Sequence, residues 1–189
     1  MKIRSSVRID SPEKRLAALN IRPMQLDDLG QVTAIDCQSF TLPWPESAYR
    51  YELIENQSSF LRVAEIDLAD ERPLIVGVAV VWMIIDEAHI ATIAVHPDFR
   101  GQGIASQLMV NILREAVRLG ARLATLEVRE HNTAAHRLYQ HFGFKILGRR
   151  LRYYSDNQED ALIMTVGGLD EAYIDWLEYG GRAGSAGIE

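Results

Sequence analysis

The sequence predicts a mixed α/β (α+β) domain with a mostly antiparallel sheet of about seven strands and about four flanking helices. Three observations carry this expectation. Phe60–Ile66, Leu74–Ile85 and Glu87–Val95 are strand-like runs joined by short polar turns, the pattern of an antiparallel meander. Glu87–Met109 (EAHIATIAVHPDFRGQGIASQLM) then passes from a strand through a glycine loop into a segment of helical period. Phe144–Tyr154 and Asp160–Val166 read as a closing hairpin around Ser155-Asp156-Asn157-Gln158.

Taken in order, residues 1–20 are mixed and polar and read as an extension outside the core. Asn20–Gln25 is a short first strand, and Pro23 places it at a sheet edge because proline offers no ladder N–H. Asp27 or Asp28 suits the cap of a helix that gathers Leu29, Val32, Ile35 and Asp36 on one side. Phe40–Pro45 holds two prolines and cannot continue that helix; Glu46–Glu55 resumes the helical period. Asp67–Pro73 is a polar turn inside the meander. In the strand before the glycine loop, His89, Ala91, Ile93 and Val95 alternate with Ile90, Thr92 and Ala94, so both faces are expected to be covered. His96-Pro97-Asp98 ends it. A helix follows from about Gly103 to Leu119, with Gly120 as its C′ residue. Ala121–Arg129 is a strand, and Asn132 or Thr133 opens a helix that Gly143 stops. Leu169–Tyr179 suits a short terminal helix, and Gly180–Glu189 a flexible tail.

The 189 residues, 48% hydrophobic and 24% charged, fit one globular domain. A net charge of −6 argues against a general nucleic-acid binder and suits a neutral or basic partner. No apolar run is long enough for a membrane span and no secretory pattern opens the chain, so a cytoplasmic protein without a membrane partner is expected. Cys37, the single cysteine, allows no intrachain disulfide and is expected to be a small core residue. His131, His136 and His141 recur at a spacing that turns about 140° per step on a helix. They share no face, and with no H-E-x-x-H or cysteine pair no metal is expected. The oligomeric state is left open.

The glycine loop carries the first chemistry. A helix N-terminus presents N–H groups without intrahelical partners and partial positive charge, which suits a phosphate-bearing ligand. Gly101 and Gly103 let backbone approach such a ligand, Ala105 is small, and Arg100 adds a charge. The loop is neither G-x-G-x-x-G nor a P-loop, and from these residues alone an ordinary strand–turn–helix junction remains the alternative. R-G-Q-G-I-A, however, fits Q/R-x-x-G-x-G/A at Arg100, Gly103 and Ala105 after a strand ending V-H-P. It resembles the acetyl-CoA pyrophosphate loop of the GNAT N-acetyltransferases.

From about Ile21 to Val166 the element order resembles the whole GNAT fold, with the sheet splayed at its centre. That leaves 1–20 as an N-terminal extension and 167–189 as a short helix and tail outside the domain. Within the superfamily, SFTLPW (Ser39–Trp44), LEVREHNTAAHRLYQHFGF (Leu126–Phe144) and GRRLRYYSDNQEDALIM (Gly148–Met164) resemble the RimI type of ribosomal-protein-alanine N-acetyltransferase. The resemblance implies acetyl transfer from acetyl-CoA to a protein N-terminus, the N-terminal alanine of a small-subunit ribosomal protein being the expected acceptor.

Strand alternation points Glu127 away from Leu126 and Val128, which by itself fits a solvated carboxylate as well as a base. Tyr139 by itself fits a packing aromatic, and Asn132 a simple N-cap. The resemblance implies Glu127 as general base, Tyr139 as general acid beside the coenzyme sulfur, and Asn132 on the pantetheine arm. It also implies cofactor contacts from Ile93, Ala94 and Val95 and from Arg100, Gly101, Gln102, Gly103, Ile104 and Ala105. The acceptor peptide would lie between Leu42, Trp44 and Glu46 on one side and Tyr153, Tyr154 and Asp156 on the other, with Asp160 nearby. Glu46, Asp156 and Asp160 would favour a basic peptide. Two rivals remain: acetylation of lysine or a small amine, and a non-catalytic acetyl-CoA-binding module, which retention of both Glu127 and Tyr139 disfavours.

Overall fold

A computed structural model describes residues 19–67 and 72–178. The expected N-terminal extension up to residue 18, the middle of the Asp67–Pro73 turn and the tail from residue 179 lie outside the described residues. Seven strands form one sheet: β1 (Asn20–Pro23), β2 (Ser59–Ile66), β3 (Leu74–Ile84), β4 (Glu87–Val95), β5 (Leu123–Arg129), β6 (Lys145–Arg150) and β7 (Ala161–Gly167). Their order is β1-β2-β3-β4-β5-β7-β6. Only β4 and β5 run parallel, joined by the long helix between them; the remaining pairs are antiparallel. The helices are α1 (Leu29–Ser39), α2 (Glu46–Ile54), α3 (Ile104–Arg118), α4 (Thr133–His141) and α5 (Glu171–Glu178).

The sheet separates two cores. On one face Ile104, Leu108, Ile112 and Leu113 of α3 and Tyr139 of α4 pack with Val81, Ile90, Leu126 and Val128. On the other, Leu29, Val32 and Ile35 of α1 and Tyr49 of α2 pack with Val63, Ile75, Val78 and Val80. The apolar set read for α1 is buried as expected, but Cys37 is exposed, one position beyond the core-facing Asp36. Helix α5 docks on the first core: the Tyr173 hydroxyl donates to the Phe142 carbonyl at 2.8 Å, and Glu178 pairs with Arg114.

Local sequence explains the ends of these elements. Pro23 does lie on an edge strand. Gly120 and Gly143 adopt φ of +98° and +80° just past α3 and α4, where a left-handed residue closes a helix. The role of Asp28 differs from the expected cap. Its carboxylate accepts the Gln25 N–H at 2.7 Å, closing the 3-10 turn Leu26–Asp28, and two bonds from Arg22 at 2.7 and 2.9 Å. Burial alone would raise its pKa; Arg22 and the Gln25 N–H outweigh this and hold the carboxyl below its ordinary value. Strand β6 stops at Arg150, four residues earlier than expected, because Arg152 and Gln158 take φ of +51° and +59° and curl the connection to β7.

A larger difference lies in β4. Thr92 pairs with Val80 but Ile90 pairs with Val81, so one residue of β4 bulges between them. Ile90 therefore joins Ile93 and Val95 on the α3 face, while Ala91 packs with Ala94 in the α1–α2 core. The simple alternation read from the sequence fails here, because an inserted residue reverses the sense of every later side chain.

Gly77 of β3 sets how closely α3 approaches. A Cβ there would stand 2.9 Å from Leu108 Cδ1 and 3.2 Å from both Ile104 Cγ2 and the Ala94 carbonyl oxygen. Gly77→Ala is expected to destabilise the fold by about 1–3 kcal/mol through overpacking. Urea denaturation checks this; an unchanged or higher stability would show that α3 can shift freely.

Candidate active site

The site begins where two strands part. β4 and β5 pair only through Glu87–Leu123, Ala88–Ala124 and His89–Thr125, although both strands continue. Beyond that point β4 stays on β3 and β5 stays on β7 along their whole lengths. The His96 N–H donates to the Val76 carbonyl at 2.9 Å, so antiparallel alternation turns the backbone of Ala94 toward β3 as well. Ile93 and Val95 then present their backbone groups to the opening. Ala94, with its side chain in the α1–α2 core, does not.

The glycine loop closes the far end of this opening. Gly101 and Gly103 take φ of +77° and +81°, and space is free around both. Gly103 is the N-cap of α3 and supplies no side-chain cap; the first intrahelical bond runs from Gln107 N–H to the Gly103 carbonyl. The preceding N–H groups of Ile104, Ala105 and Ser106 lie in the first turn, where a phosphate would be received. Gln102 is exposed, and the Ile104 side chain is a core plug. Arg100 does not reach out as a free charge: it donates to the Val95 carbonyl and to Ser39 Oγ, both at 3.1 Å, and so braces the loop against β4 and α1.

Glu127 points to the α1–α2 face of β5, opposite Leu126 and Val128, as alternation requires. Its side chain is 10% exposed and doubly engaged. Oε2 lies 3.2 Å from His89 Nε2, and Oε1 lies 3.0 Å from an Arg150 amino group. The His89 ring stacks on Trp82 at 5.4 Å, and Trp82 stacks on Trp44 at 6.1 Å. The Trp82 indole N–H donates to Glu52 at 2.9 Å. A row of rings thus runs from the α1–α2 connection to the carboxylate.

Arg129, next but one along β5, joins the two connections that flank the opening. It donates to Thr41 at 3.0 Å, Asp156 at 2.7 Å and Glu159 at 3.0 Å, and Thr41 also bonds Asp156. Its guanidinium lies 3.9 Å from the Tyr154 ring centre. Hydrogen bonds from Thr41 and from Arg129 hold the Asp156 carboxyl below its ordinary value. Burial pushes the Tyr154 phenol up to about 12, against the pull of Arg129. Tyr139 stands on α4, on the other side of the sheet, buried against Phe144. Burial and then the Tyr154 phenol raise its pKa well above the usual value, so it remains protonated through the neutral range. Asn132 Oδ1 caps α4 by accepting the Ala135 N–H at 3.1 Å.

The acetyltransferase (GNAT) family profile matches residues 29–144. The chain belongs to that family. It is an N-acetyltransferase, and the family draws on acetyl-CoA. A Bacillus subtilis protein provisionally named ribosomal protein bS18-alanine N-acetyltransferase is 38% identical over 146 residues, 77% of this chain and 93% of that one. The Escherichia coli protein of the same name is 30% identical over 148 residues, covering 77% and 95% of the two chains. The crystal structure of the Escherichia coli ribosomal-protein-alanine N-acetyltransferase superposes with a TM-score of 0.69 at 27% identity, covering 80% of this chain and 94% of that one.

In this acetyltransferase some expected acceptor contacts are already engaged. Glu46 pairs with Arg50 at 2.9 Å, Asp160 with Arg149 and the Arg152 N–H, and Asp156 with Arg129, so their charges are answered within the chain. Leu42 and Tyr153 are exposed, at 54% and 47%. His89, Arg129 and Arg150 were not singled out by sequence. A histidine in an otherwise apolar strand, and an arginine two places after Glu127, were the available signals. Asp36 was also missed, although a carboxylate on the apolar face of α1 invited the question. It is 1% exposed and accepts the Trp44 N–H and the Tyr49 hydroxyl, each at 2.6 Å. Burial nevertheless pushes its carboxyl above its ordinary value. Asp36→Asn offers one acceptor oxygen where two donors now bond, so the Tyr49 hydroxyl would have to turn from donor to acceptor. The expected cost is about 1–3 kcal/mol, read by chemical denaturation; an unchanged stability would show that Trp44 is held without it.

Proposed function

We propose that this chain transfers the acetyl group of acetyl-CoA to the N-terminal α-amine of a protein, with the N-terminal alanine of a small-subunit ribosomal protein as acceptor. The observation that carries the reading is the parted β4–β5 pair, with unpaired β4 backbone on one side and a shielded carboxylate on the other. The names of the Bacillus subtilis and Escherichia coli relatives support the acceptor class.

Ile93 and Val95 would hold the amides of the pantetheine arm as an added strand would, and Asn132 would reach it from the start of α4. The pyrophosphate would rest on the first turn of α3 between Gly101 and Ala105, its charge answered by the helix N-terminus. In that pose the thioester carbonyl would lie beside Glu127.

In the reaction the amine nitrogen bonds to the carbonyl carbon and the carbon–sulfur bond breaks. The nitrogen must shed a proton, and Glu127 takes it, directly or through one water. His89 steadies the carboxylate from one side, its Nε2 lying 3.2 Å from Oε2 and its own ring held flat against Trp82. The leaving thiolate takes its proton from the Tyr139 hydroxyl, which burial keeps protonated. The bonded connections at Thr41 and Asp156, together with Trp44 and Tyr154, would admit a chain terminus. An α-amine near pKa 8 costs about 1.4 kcal/mol to deprotonate at pH 7, against about 4.6 for a lysine near 10.4.

Two measurements test this. A peptide beginning with alanine is expected to be acetylated on its α-amine, and an N-terminally blocked copy carrying lysine is not. Mass spectrometry reads both, and equal rates would favour the lysine or small-amine reading. Glu127→Gln is expected to lower kcat about 10²–10⁴-fold at neutral pH, the deficit shrinking as pH passes the pKa of the amine. Tyr139→Phe should lower kcat without such rescue, since alkali supplies no acid. Wild-type pH–rate profiles for both folded variants would overturn the assignment.

A further inference from the structure

Glu127 has two oxygens, and each has a nitrogen within ion-pair distance: His89 Nε2 at Oε2 and an Arg150 amino group at Oε1. The two partners are held very differently. His89 is 17% exposed, sits within a strand and is stacked on Trp82. Arg150 is the last residue of the edge strand β6, its side chain is 54% exposed, and Glu127 is its single ionic partner among the described residues. Its other neighbour is the exposed Tyr153 ring, 5.6 Å from the guanidinium carbon.

The register explains why Arg150 reaches back. Glu127 lies in line with Ile163 and Gly148 across β5, β7 and β6, and Arg129, Ala161 and Arg150 form the next line on that face. Arg129 is taken up by Asp156 and Glu159 of the β6–β7 connection and by Thr41 of the α1–α2 connection. Arg150 has no such partners and reaches across β7 to Glu127. It therefore arrives on the sheet face where the acceptor would lie. An ion pair with one partner half in water is weak and easily exchanged.

An α-ammonium group and a guanidinium are the same kind of partner for a carboxylate: a cation donating N–H. We propose that Arg150 is a displaceable stand-in for the acceptor amine, pairing with Glu127 in the free enzyme and yielding Oε1 to the α-ammonium of the incoming peptide. This rests on Glu127 being the base. Arg150 then shields the carboxylate until a competing cation arrives, and an uncharged terminus cannot take its place. His89 keeps its hold on Oε2 throughout, so the exchange does not release the carboxylate from position.

The test uses the enzyme saturated with coenzyme A, which carries no acetyl group to transfer, and two peptides: one beginning with a free alanine and its N-acetylated copy. Arg150→Met keeps the aliphatic stem and removes the charge. Calorimetry is expected to show the free-amine peptide binding about three- to tenfold tighter to the variant, with the acetylated copy unchanged. Arg150→Lys should restore wild-type affinity. In a Glu127→Gln background the gain from Arg150→Met should vanish, since the competition is for that carboxylate. An equal gain for both peptides, no gain, a weaker free-amine complex, or a gain that survives Glu127→Gln would each overturn the proposal. Wild-type turnover by Glu127→Gln alone would instead overturn the assignment of the base.

Discussion

Everything at the candidate site depends on a strand pair that is allowed to fail. β4 and β5 hold each other for three residue pairs, and past His89 and Thr125 each keeps a strand partner only on its outer side, with the Val95 carbonyl taken by Arg100 on the inner one. Unpaired backbone inside a sheet is costly unless something else satisfies it. Two features keep the opening from closing. β5 is zipped to β7 from Leu123 to Arg129, and β4 is bound to β3 out to Val95. The bulge near Ala91 adds twist to β4 just where the two strands separate. Gly77 lets α3 settle close to this seam, so the helix N-terminus and the opened backbone are parts of one rigid arrangement.

The second organising feature is an arrangement of charge. The chain carries an excess of acid, but the carboxylates around the opening are already partnered: Asp156 and Glu159 by Arg129, Asp160 by Arg149, Glu127 by Arg150. The Glu159 carboxyl is held at about 2, chiefly by the His131 N–H. A site so arranged presents bonded connections rather than a bare acidic funnel. That alters the picture drawn from composition alone, in which the acidic residues would attract a basic peptide.

Much of the fold was legible because its causes are local. Pro23 reported an edge, Gly120 and Gly143 reported helix ends through their left-handed φ, and the apolar spacing of α1 and α3 reported which faces turn inward. The glycine loop was legible for the same reason: R-G-Q-G-I-A encodes a backbone path as much as a set of side chains. Where local rules met a tertiary demand they misread the chain. Asp28 was available to cap α1 but closes the turn before it and answers Arg22, a partner delivered by β1. Cys37 was expected in the core and is exposed. The end of β6 was placed too late because Tyr153 and Tyr154 have strand-like side chains, whereas Arg152 and Gln158 turn the backbone left-handed.

By itself the sequence determined the order of elements, the ends of α3 and α4 at Gly120 and Gly143 and the loop at Arg100–Ala105, since each follows from propensity, periodicity or a required φ within a few neighbouring residues. Only the tertiary structure decided which groups meet Glu127. His89 and Arg150 lie 38 residues before it and 23 after it in the chain, on strands brought to either side of β5 by sheet order. Their contact depends on register, and register is settled by the whole sheet. The bulge in β4 is of the same kind: nothing in His89–Val95 announces an extra residue, and it arises from fitting two apolar faces to two separate cores at once.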